Sequence, residues 1–441
     1  PRSGRSPRPR PAPRGAQFAA SEAAADGIGG NLRGMDEERW EAPVGAIEFI
    51  ADFGRALHRF GSSAPRVEEA LEALARRFAV RAEFMATPTA IFCAFGKGAE
   101  QRTLLARVEP GDVDLEKLSL LHALSHDVVT GDAPFEEARR RLARIVARPT
   151  RSHWAVVLAS YAGASAASTR FLQGGLPEAA VAAIVGLATG LLALAAARRP
   201  AFARIYTPVA ATCAAFLAVA LSRWIGVAST YVATLAGLIV LIPGLPLTVA
   251  MTELASRHLS SGVSRLFDAG VTFLSIGFGV ALGTQVADVL LGDVPSAAPH
   301  APPGWTELAA LLVAPVCFGL LLKARFRDLG WVMLGSVAAY GGTRLGAAAV
   351  GPQIGAFAGT FVLGMASNFF ARHSNRPAAL TYVPGVMLLV PGSIGLRGVT
   401  DFLAHNVSKG LEAGFNAVLV AVALASGMLL ATVVVPARRA I

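Results

Sequence analysis

Two short Pro-Gly segments interrupt apolar stretches of the chain, and their backbone groups could bind a polar ligand. The first is Leu241-Ile-Pro-Gly-Leu-Pro-Leu247, and the second, about 148 residues later, is Leu389-Val-Pro-Gly-Ser-Ile-Gly395. Proline has no amide hydrogen and glycine adds backbone freedom, so each segment leaves polar groups that lipid cannot satisfy. Such breaks persist where they face protein or a water-filled cavity. Paired breaks in corresponding places of two halves predict the binding site of a secondary transporter.

Polar side chains follow the first break and could take part in binding or gating. Thr248 supplies a hydroxyl shortly after Gly244, and Glu253 supplies a carboxylate before the next connection. The alternative is a kinked helix that enters an ordinary cytoplasmic loop, but the matching break in the other half favours substrate handling. The candidate residues of this region are Pro243, Gly244, Pro246, Thr248 and Glu253.

The second break contains two Pro-Gly pairs, seven residues apart. About two helical turns separate the pairs, so both should face the same way. The carbonyls near these pairs and the adjacent Ser hydroxyl could bind polar substrate groups. Arg397 could bind a carboxylate through two charge-assisted hydrogen bonds, or it could instead be an interface residue whose charged end reaches water. The candidates here are Pro384, Gly385, Pro391, Gly392, Ser393 and Arg397.

Coupling of transport to protons would require an ionisable group near the path, and such groups inside spans are functional candidates. No carboxylate lies unambiguously in the middle of an apolar stretch, so the choice stays open among three residues. These proton-coupling candidates are Glu253, Asp268 and Asp288.

Metal, cofactor and disulfide chemistry is not predicted. His122 and His126 are four residues apart, a spacing that can hold a metal, but Ala123 stands where a zinc-protease helix has Glu. No third ligand is evident, and the three cysteines form no C-x-x-C pair. We therefore expect no metal, no cofactor and no catalytic residue.

The composition is that of a polytopic α-helical membrane protein. Of 441 residues, 54% are hydrophobic and 16% are charged, and the charges concentrate in the first 150 positions and in short connections. A membrane helix needs about 20 apolar residues. Ten stretches satisfy this requirement: residues 153–172, 177–197, 202–222, 229–249, 268–291, 306–323, 329–349, 353–371, 379–396 and 413–436.

The distribution of Lys and Arg predicts how these spans are oriented. If the start of the chain is cytoplasmic, the inner connections carry far more Lys and Arg than the outer ones. Ten spans then place both termini in the cytoplasm, and five spans in each half make the second half inverted relative to the first. The net charge of +10 is thus explained by topology, and nucleic acid is not a predicted partner.

A cytoplasmic α+β domain is predicted before the first span. Apolar residues recur at helical spacing from Ile47 to Phe60, and Ser63 could cap a second helix whose first turn contains Pro65. Two further helical segments, 115–129 and 134–146, follow three candidate strands at Val80–Phe84, Thr89–Phe95 and Arg102–Val108. The predicted divisions are a disordered Arg/Pro-rich tail, 1–40; the α+β domain, 41–150; two five-helix repeats, 151–294 and 305–441; and a Pro-rich loop, 295–304.

Several motifs resemble those of the threonine/serine exporter family. The motifs are Ala64-Pro-Arg-Val-Glu68, Thr87-Pro-Thr-Ala-Ile-Phe92, Leu241-Ile-Pro-Gly-Leu-Pro-Leu-Thr248, Ser261-Gly-Val-Ser-Arg-Leu266 and Val383-Pro-Gly-Val-Met-Leu-Leu-Val-Pro-Gly-Ser-Ile-Gly395. The resemblance covers residues from about 45 to 435 in the family's order of a soluble domain and two sets of five spans. It implies an exporter of small hydroxylated amino acids that is driven by the proton motive force. Family members often carry an acidic residue soon after the first Pro-Gly-x-Pro, and Glu253 is the nearest candidate.

The predicted function is therefore export of threonine or serine across a bacterial inner membrane in exchange for protons, with homo-oligomerisation left open. Related two-chain systems resemble dicarboxylate exporters, so export of a succinate-type dicarboxylate is the alternative within this class. A membrane-anchored enzyme with its chemistry in residues 45–150 is the alternative of another class. No nucleophile, base and orienting group can be assembled there, so an enzyme is not predicted.

Overall fold

The computed structural model describes residues 44–149, 153–225, 229–292, 299–374, 376–389, 392–403 and 406–436. The predicted tail 1–40, part of the predicted loop 295–304, and Pro391 lie outside these residues.

Residues 44–147, which we call the sheet-bearing segment, combine four helices with a small sheet. Strands β1 (Ala82–Thr87), β2 (Ala90–Phe95) and β3 (Arg102–Arg107) form an antiparallel sheet in the order β1-β2-β3. Thr87 pairs with Ala90 across a two-residue turn at Pro88 and Thr89, so β1 continues further than its apolar pattern predicted. The helices are α1 (Val44–Arg59), α2 (Ala64–Arg77), α3 (Leu115–Thr130) and α4 (Phe135–Ala147).

The remainder of the described chain is helical. Pro243 directly precedes the helix that begins at Gly244, because its ring and missing amide hydrogen are incompatible with a helix interior. The helices are α5 (Trp154–Phe171), α6 (Leu176–Ala196), α7 (Pro200–Ala203), α8 (Tyr206–Ile225), α9 (Thr230–Gly237), α10 (Gly244–Ala255), α11 (Leu259–Leu291), α12 (Trp305–Leu321), α13 (Leu329–Ala349), α14 (Pro352–Ser374), α15 (Ala379–Leu389), α16 (Gly392–Leu403) and α17 (Val407–Val434).

Within the described residues, six helical stretches are long and apolar enough to cross a membrane. Helices lie on all ten predicted stretches, but four stretches fall short. The break at Pro243 leaves α9 and α10 too short, α12 is apolar yet only 17 residues long, and α5 and α13 are long enough but less apolar. The protein is thus a polytopic helical membrane protein, and the number of ten spans stays a prediction. The six stretches are Leu176–Ala196, Tyr206–Ile225, Leu259–Leu291, Pro352–Ser374, Ala379–Asp401 and Val407–Val434.

One face of α11 is apolar and directed away from the rest of the molecule. Phe267, Val271, Leu274 and Phe278 recur every three or four residues, and each is at least 60% exposed. A contiguous apolar stripe of this kind is costly in water and is suited to contact with lipid.

The helices pack in a pattern that occurs twice. Helix α6 packs on α9 and α8 on α11, and later in the chain α13 packs on α15 and α14 on α17. The contacts between the two sets are reciprocal. Helix α10 of the first set packs on α17 of the second, and α16, the counterpart of α10, packs on α11, the counterpart of α17. Helices α5 and α12, the first of each set, pack on one another.

Candidate functional site at the crossing of two broken helices

The first break leaves backbone carbonyl groups without hydrogen-bond donors. Helix α9 ends at Gly237, and α10 begins at Gly244 after an irregular turn in which the Gly244 amide donates to the Ile242 carbonyl at 2.8 Å. Within the described part of the chain, nothing donates to the carbonyls of residues 239, 240 and 241, which are partly exposed. Backbone carbonyls without a protein donor normally bond to water or to a ligand, so these three are available to either.

The second break is built in a related way. Pro384 lies inside α15 and has no amide hydrogen to donate to the carbonyl of Leu380, four residues earlier. Gly385 lies close to α14, since a Cβ atom there would approach Leu363 to 2.7 Å. Helix α16 then starts at Gly392.

The two breaks are in direct contact. Gly392 lies against the first break, where a Cβ atom at position 392 would collide with Cγ2 of Ile242 and lie 3.6 Å from Cα of Gly244. The structure therefore brings the predicted Gly244 and Gly392 together, although about 148 residues separate them. Glycine is needed at position 392 for steric reasons.

The broken helices cross in opposite directions. Tyr382 of α15 and Leu245 of α10 belong to one apolar cluster on one side of the breaks. On the other side, the guanidinium of Arg397 in α16 lies 5.8 Å from the centre of the Tyr231 ring at the start of α9. Thus, on the side of Tyr382, α10 runs away from the breaks and α15 runs towards them. On the side of Arg397, α9 runs towards the breaks and α16 runs away from them.

The remaining candidates close to the breaks differ in their availability. Thr248 is buried, and its hydroxyl donates to the carbonyl of Gly244 at 3.1 Å. Pro246 and Ser393 are partly buried, and the Ser393 hydroxyl has no hydrogen bond to another described residue. Arg397 is exposed apart from its contact with the Tyr231 ring.

Glu253 lies away from the crossing, at the contact with the sheet-bearing segment. It is nine residues beyond Gly244, about 14 Å along the helix, and only 1% exposed. Its carboxylate accepts hydrogen bonds from the Ala64 amide at 3.1 Å, the Ser261 hydroxyl at 2.7 Å and the Arg265 Nε at 3.1 Å. This arrangement is a buried ion pair that connects α2 to α10 and α11.

The other two proton-coupling candidates do not join the crossing or Glu253. Asp268 is exposed on α11, and Asp288 is partly buried about 30 Å further along the same helix. Neither carboxylate forms an ion pair with a described residue. The three candidates therefore occupy separate environments.

Two contacts near Glu253 were not predicted from the sequence: the capping of α2 by Glu253 and the pair formed by His258 and Glu68. Ser63 makes no side-chain capping bond, and Glu253 accepts the first amide of α2 in its place. His258 contacts Glu68 at 3.0 Å, and the other Glu68 oxygen accepts from the Ala86 amide at 2.7 Å. Glu68 lies within a motif that carried the family resemblance, but no local pattern indicated its partners.

The sheet-bearing segment has a second contact with the membrane helices, just after α12. The amide of Leu115 donates to the carbonyl of Leu322 at 2.9 Å. Arg325 pairs with Glu116 at 3.3 Å, and Lys323 lies 3.7 Å from Asp114. The two contacts involve different sets of helices, so the segment connects the first set to the second.

Two histidines of the sheet-bearing segment are held neutral by burial. Burial lowers the pKa of His122 to about 4, and the neighbouring Arg66 and His126 add to this effect. Burial also lowers the pKa of His58, although its hydrogen bond to the Thr87 carbonyl opposes the change. Among the described residues, no three His, Cys, Asp or Glu side chains are grouped so as to hold a metal.

Crossed, broken helices in a polytopic helical protein are the architecture of a membrane transporter. The chain belongs to the threonine/serine exporter family. Residues 48–287 match the family model ThrE, described as "Putative threonine/serine exporter", and residues 307–434 match ThrE_2, described as "Threonine/Serine exporter, ThrE". The family membership predicted from the motifs is confirmed.

Curated relatives come from fungi. Pheromone-regulated membrane protein 10 of Debaryomyces hansenii is 26% identical over 362 residues, 78% of this chain and 36% of that protein. The proteins of the same name from Pichia sorbitophila and Candida albicans (strain WO-1) are 25% and 24% identical, over 82% and 79% of this chain. The chain spans 38% and 33% of their respective lengths, so it corresponds to about a third of these relatives. No solved structure matches this chain.

Proposed function

We propose that the protein is a secondary transporter that exports threonine, serine or a similar small hydroxylated amino acid in exchange for protons. The observation that carries this proposal is the contact between the two breaks, where Gly392 lies against Ile242 and Gly244. Such crossings of discontinuous helices provide binding groups at the centre of secondary transporters. The family description supports the choice of substrate.

The groups at the crossing suit a small zwitterion. The carbonyls of residues 239–241, to which no described residue donates, would accept hydrogen bonds from a substrate ammonium group. The Ser393 hydroxyl, which has no hydrogen bond to another described residue, would bond a substrate hydroxyl, and Thr248 can still accept a hydrogen bond through its oxygen while donating to Gly244. Arg397, on the side of the breaks away from the sheet-bearing segment, would bind the substrate carboxylate as the substrate leaves.

The proposed topology has ten spans in two inverted repeats. The antiparallel crossing of the broken helices and the reciprocal contacts between the helix sets support it, because a pseudo-two-fold axis requires both. The Lys and Arg distribution supports cytoplasmic termini and a cytoplasmic domain at 41–150, with repeats at 151–294 and 305–441. Location in a bacterial inner membrane stays a prediction, and the fungal relatives do not support it.

Proton coupling is proposed to act through Glu253. A proton on this carboxylate would neutralise the partner of Arg265 and weaken the bond to the Ala64 amide. The contact between α2 and α10 would then loosen as one helix set rocks against the other. Substrate export would thereby be linked to release of the incoming proton at the sheet-bearing segment, on the cytoplasmic side of the proposed topology.

Counterflow in proteoliposomes tests this function. Vesicles containing the purified protein are preloaded with threonine, serine or succinate, and uptake of the labelled solute is followed with and without a pH gradient. Threonine or serine exchange that is stimulated by the gradient is expected. Exchange of succinate alone would assign the protein to dicarboxylate export, and the absence of exchange with all three solutes would contradict the proposed function.

A further inference from the structure

Arg66 is a partly buried cation without an acceptor in the described part of the chain. It lies in the first turn of α2, between Ala64, 1% exposed, and Val67, which is fully buried. Its guanidinium forms neither a hydrogen bond nor an ion pair with any described residue, and its nitrogen atoms remain accessible to solvent. An arginine carries five N–H donors, and no described residue accepts from those of Arg66. An accessible guanidinium without a partner is therefore a candidate for binding an anion.

The surroundings of Arg66 leave its charge available. Burial lowers the pKa of the guanidinium, and Glu69 and Tyr382 oppose this change. Glu69, the carboxylate that acts on Arg66, is exposed and points to solvent-rich surroundings. His122 faces Arg66 from α3 and is neutral at pH 7, so it does not supply a counter-charge.

Three helices converge on this position. Arg66 comes from α2, His122 from α3 and Tyr382 from α15, and α3 packs against both α2 and α15. Tyr382 is 8% exposed, yet its hydroxyl has no hydrogen bond to a described residue and reaches solvent. Arg66 and Tyr382 are thus close enough to interact electrostatically, and each has polar atoms that are accessible and that no described residue pairs.

This space lies at the end of the helices that lead to the breaks. Tyr382 precedes Pro384 by two residues and Gly385 by three, and it shares an apolar cluster with Leu245, the neighbour of Gly244. A ligand held by Arg66 would therefore stand on the side of the crossing where α15 begins and towards which α10 runs. Arg397 lies beyond the crossing, at the opposite end.

We propose that Arg66 binds the carboxylate of a small solute on the side of the breaks that faces the sheet-bearing segment, with the Tyr382 hydroxyl as a second donor. The identity of that solute as the transported amino acid rests on the proposed function. A planar guanidinium matches a carboxylate through two parallel hydrogen bonds, and the phenol adds a third. The sheet-bearing segment would thus contribute directly to substrate recognition.

Binding to the purified full chain tests this site without transport. Thermal unfolding is followed with threonine, serine, succinate and threoninol, in which a hydroxymethyl group replaces the carboxylate. The three carboxylates are expected to raise the melting temperature of the unchanged protein, and threoninol is not. Arg66→Gln should abolish these shifts, Arg66→Lys should retain weaker ones, and Arg76→Gln, an exposed arginine on the same helix, is the matched control.

A second variant keeps the test decisive if Arg66→Gln does not fold. Tyr382→Phe retains the ring and its packing but removes one donor, and a loss of about tenfold in carboxylate affinity is expected. Equal shifts in the unchanged protein and in Arg66→Gln would overturn the proposal. The absence of any carboxylate-dependent shift in the unchanged protein would also overturn it.

Transport separates the failure of this inference from the failure of the proposed function. If threonine exchanges normally and Arg66→Gln changes neither KM nor the maximal rate, the function stands and the site does not. If no amino acid exchanges but carboxylate binding depends on Arg66, the site stands and the function does not. A raised KM in Arg66→Lys, with retained maximal rate, would support both.

Discussion

The carboxylate of Glu253 accepts a hydrogen bond from the backbone amide of Ala64 at 3.1 Å, across 189 positions of the chain. Ala64 begins α2, so a residue of the membrane helices takes the role of a helix cap. The negative charge also lies at the positive end of the α2 dipole. Because Arg66 is in the same helical turn, its placement depends on this contact.

Replacing Glu253 should weaken the contact between the sheet-bearing segment and the membrane helices. Glu253→Gln keeps the shape but removes the charge that pairs with Arg265, and a hydrogen bond to a charged group contributes about 1.5–3 kcal/mol. We expect a loss of about 2 kcal/mol in the free energy of unfolding, measured by denaturant titration. Asp268→Asn, which changes an exposed carboxylate, is the control.

A double-mutant cycle shows whether the loss arises from the pair. Arg265→Gln should cost much less in the Glu253→Gln background than in the unchanged protein. Additive effects of the two substitutions would contradict direct coupling.

A side chain at position 392 should disrupt the crossing. The Cβ atom of Gly392→Ala would collide with Ile242, and overpacking of this kind typically costs about 1–3 kcal/mol. We expect a loss of about tenfold or more in counterflow with normal membrane insertion. Gly414→Ala in α17 is the matched control, since a Cβ atom there meets nothing within 4 Å.

The steric origin of that loss can be tested by a compensating change. Ile242→Ala removes the Cγ2 atom that the new methyl group meets, so Gly392→Ala/Ile242→Ala should recover much of the activity. If the double variant is no more active than Gly392→Ala, contact between the breaks is not the cause.

Acid should destabilise the fold through His122. Its folded pKa of about 4 is below the unfolded value of 6.5, so the unfolded state takes up the proton first. The stabilising contribution is complete above pH 6.5 and is lost as the pH falls towards 4, by on the order of 1–3 kcal/mol. Melting temperatures measured between pH 4 and 7 should therefore fall less steeply in His122→Gln.

The same histidine also reports on Arg66. Removal of the neighbouring positive charge in Arg66→Gln should raise the pKa of His122, because Arg66 is the second cause of its low value. The proton titration of the imidazole, followed by NMR, measures this change. An unaltered midpoint would show that the two side chains do not face each other.

The second contact of the sheet-bearing segment should respond to charge reversal. Arg325→Glu places two carboxylates together at Glu116, and the loss should be modest, up to about 1 kcal/mol, because both side chains are 26% exposed. Glu116→Arg/Arg325→Glu should restore part of it, since Arg148 also pairs with Glu116 and would then be repelled. Thermal unfolding at low and high salt measures both effects, and equal losses in 1 M salt would argue against an electrostatic origin.

Local patterns in the sequence determined the helices and the positions of both breaks. Apolar periodicity and Pro-Gly chemistry act over a few residues, so the stretches around Pro243 and Pro384 could be identified without any knowledge of their neighbours. The turn at Pro88 and Thr89 between β1 and β2 is local for the same reason. Distinctive motifs in the same stretches were sufficient to identify the family.

Only the tertiary structure decided which of these residues meet. The contact of Gly392 with Ile242, the bond from Ala64 to Glu253 and the absence of a described partner for Arg66 each depend on segments that are distant in sequence. Because Glu253 follows a break in the sequence, it was predicted to take part in substrate binding or gating. Helix α10 instead places it about 14 Å from the break, at the sheet-bearing segment. The packing of helices sets these distances, because the local periodicity of the sequence does not indicate which distant residues a side chain will contact.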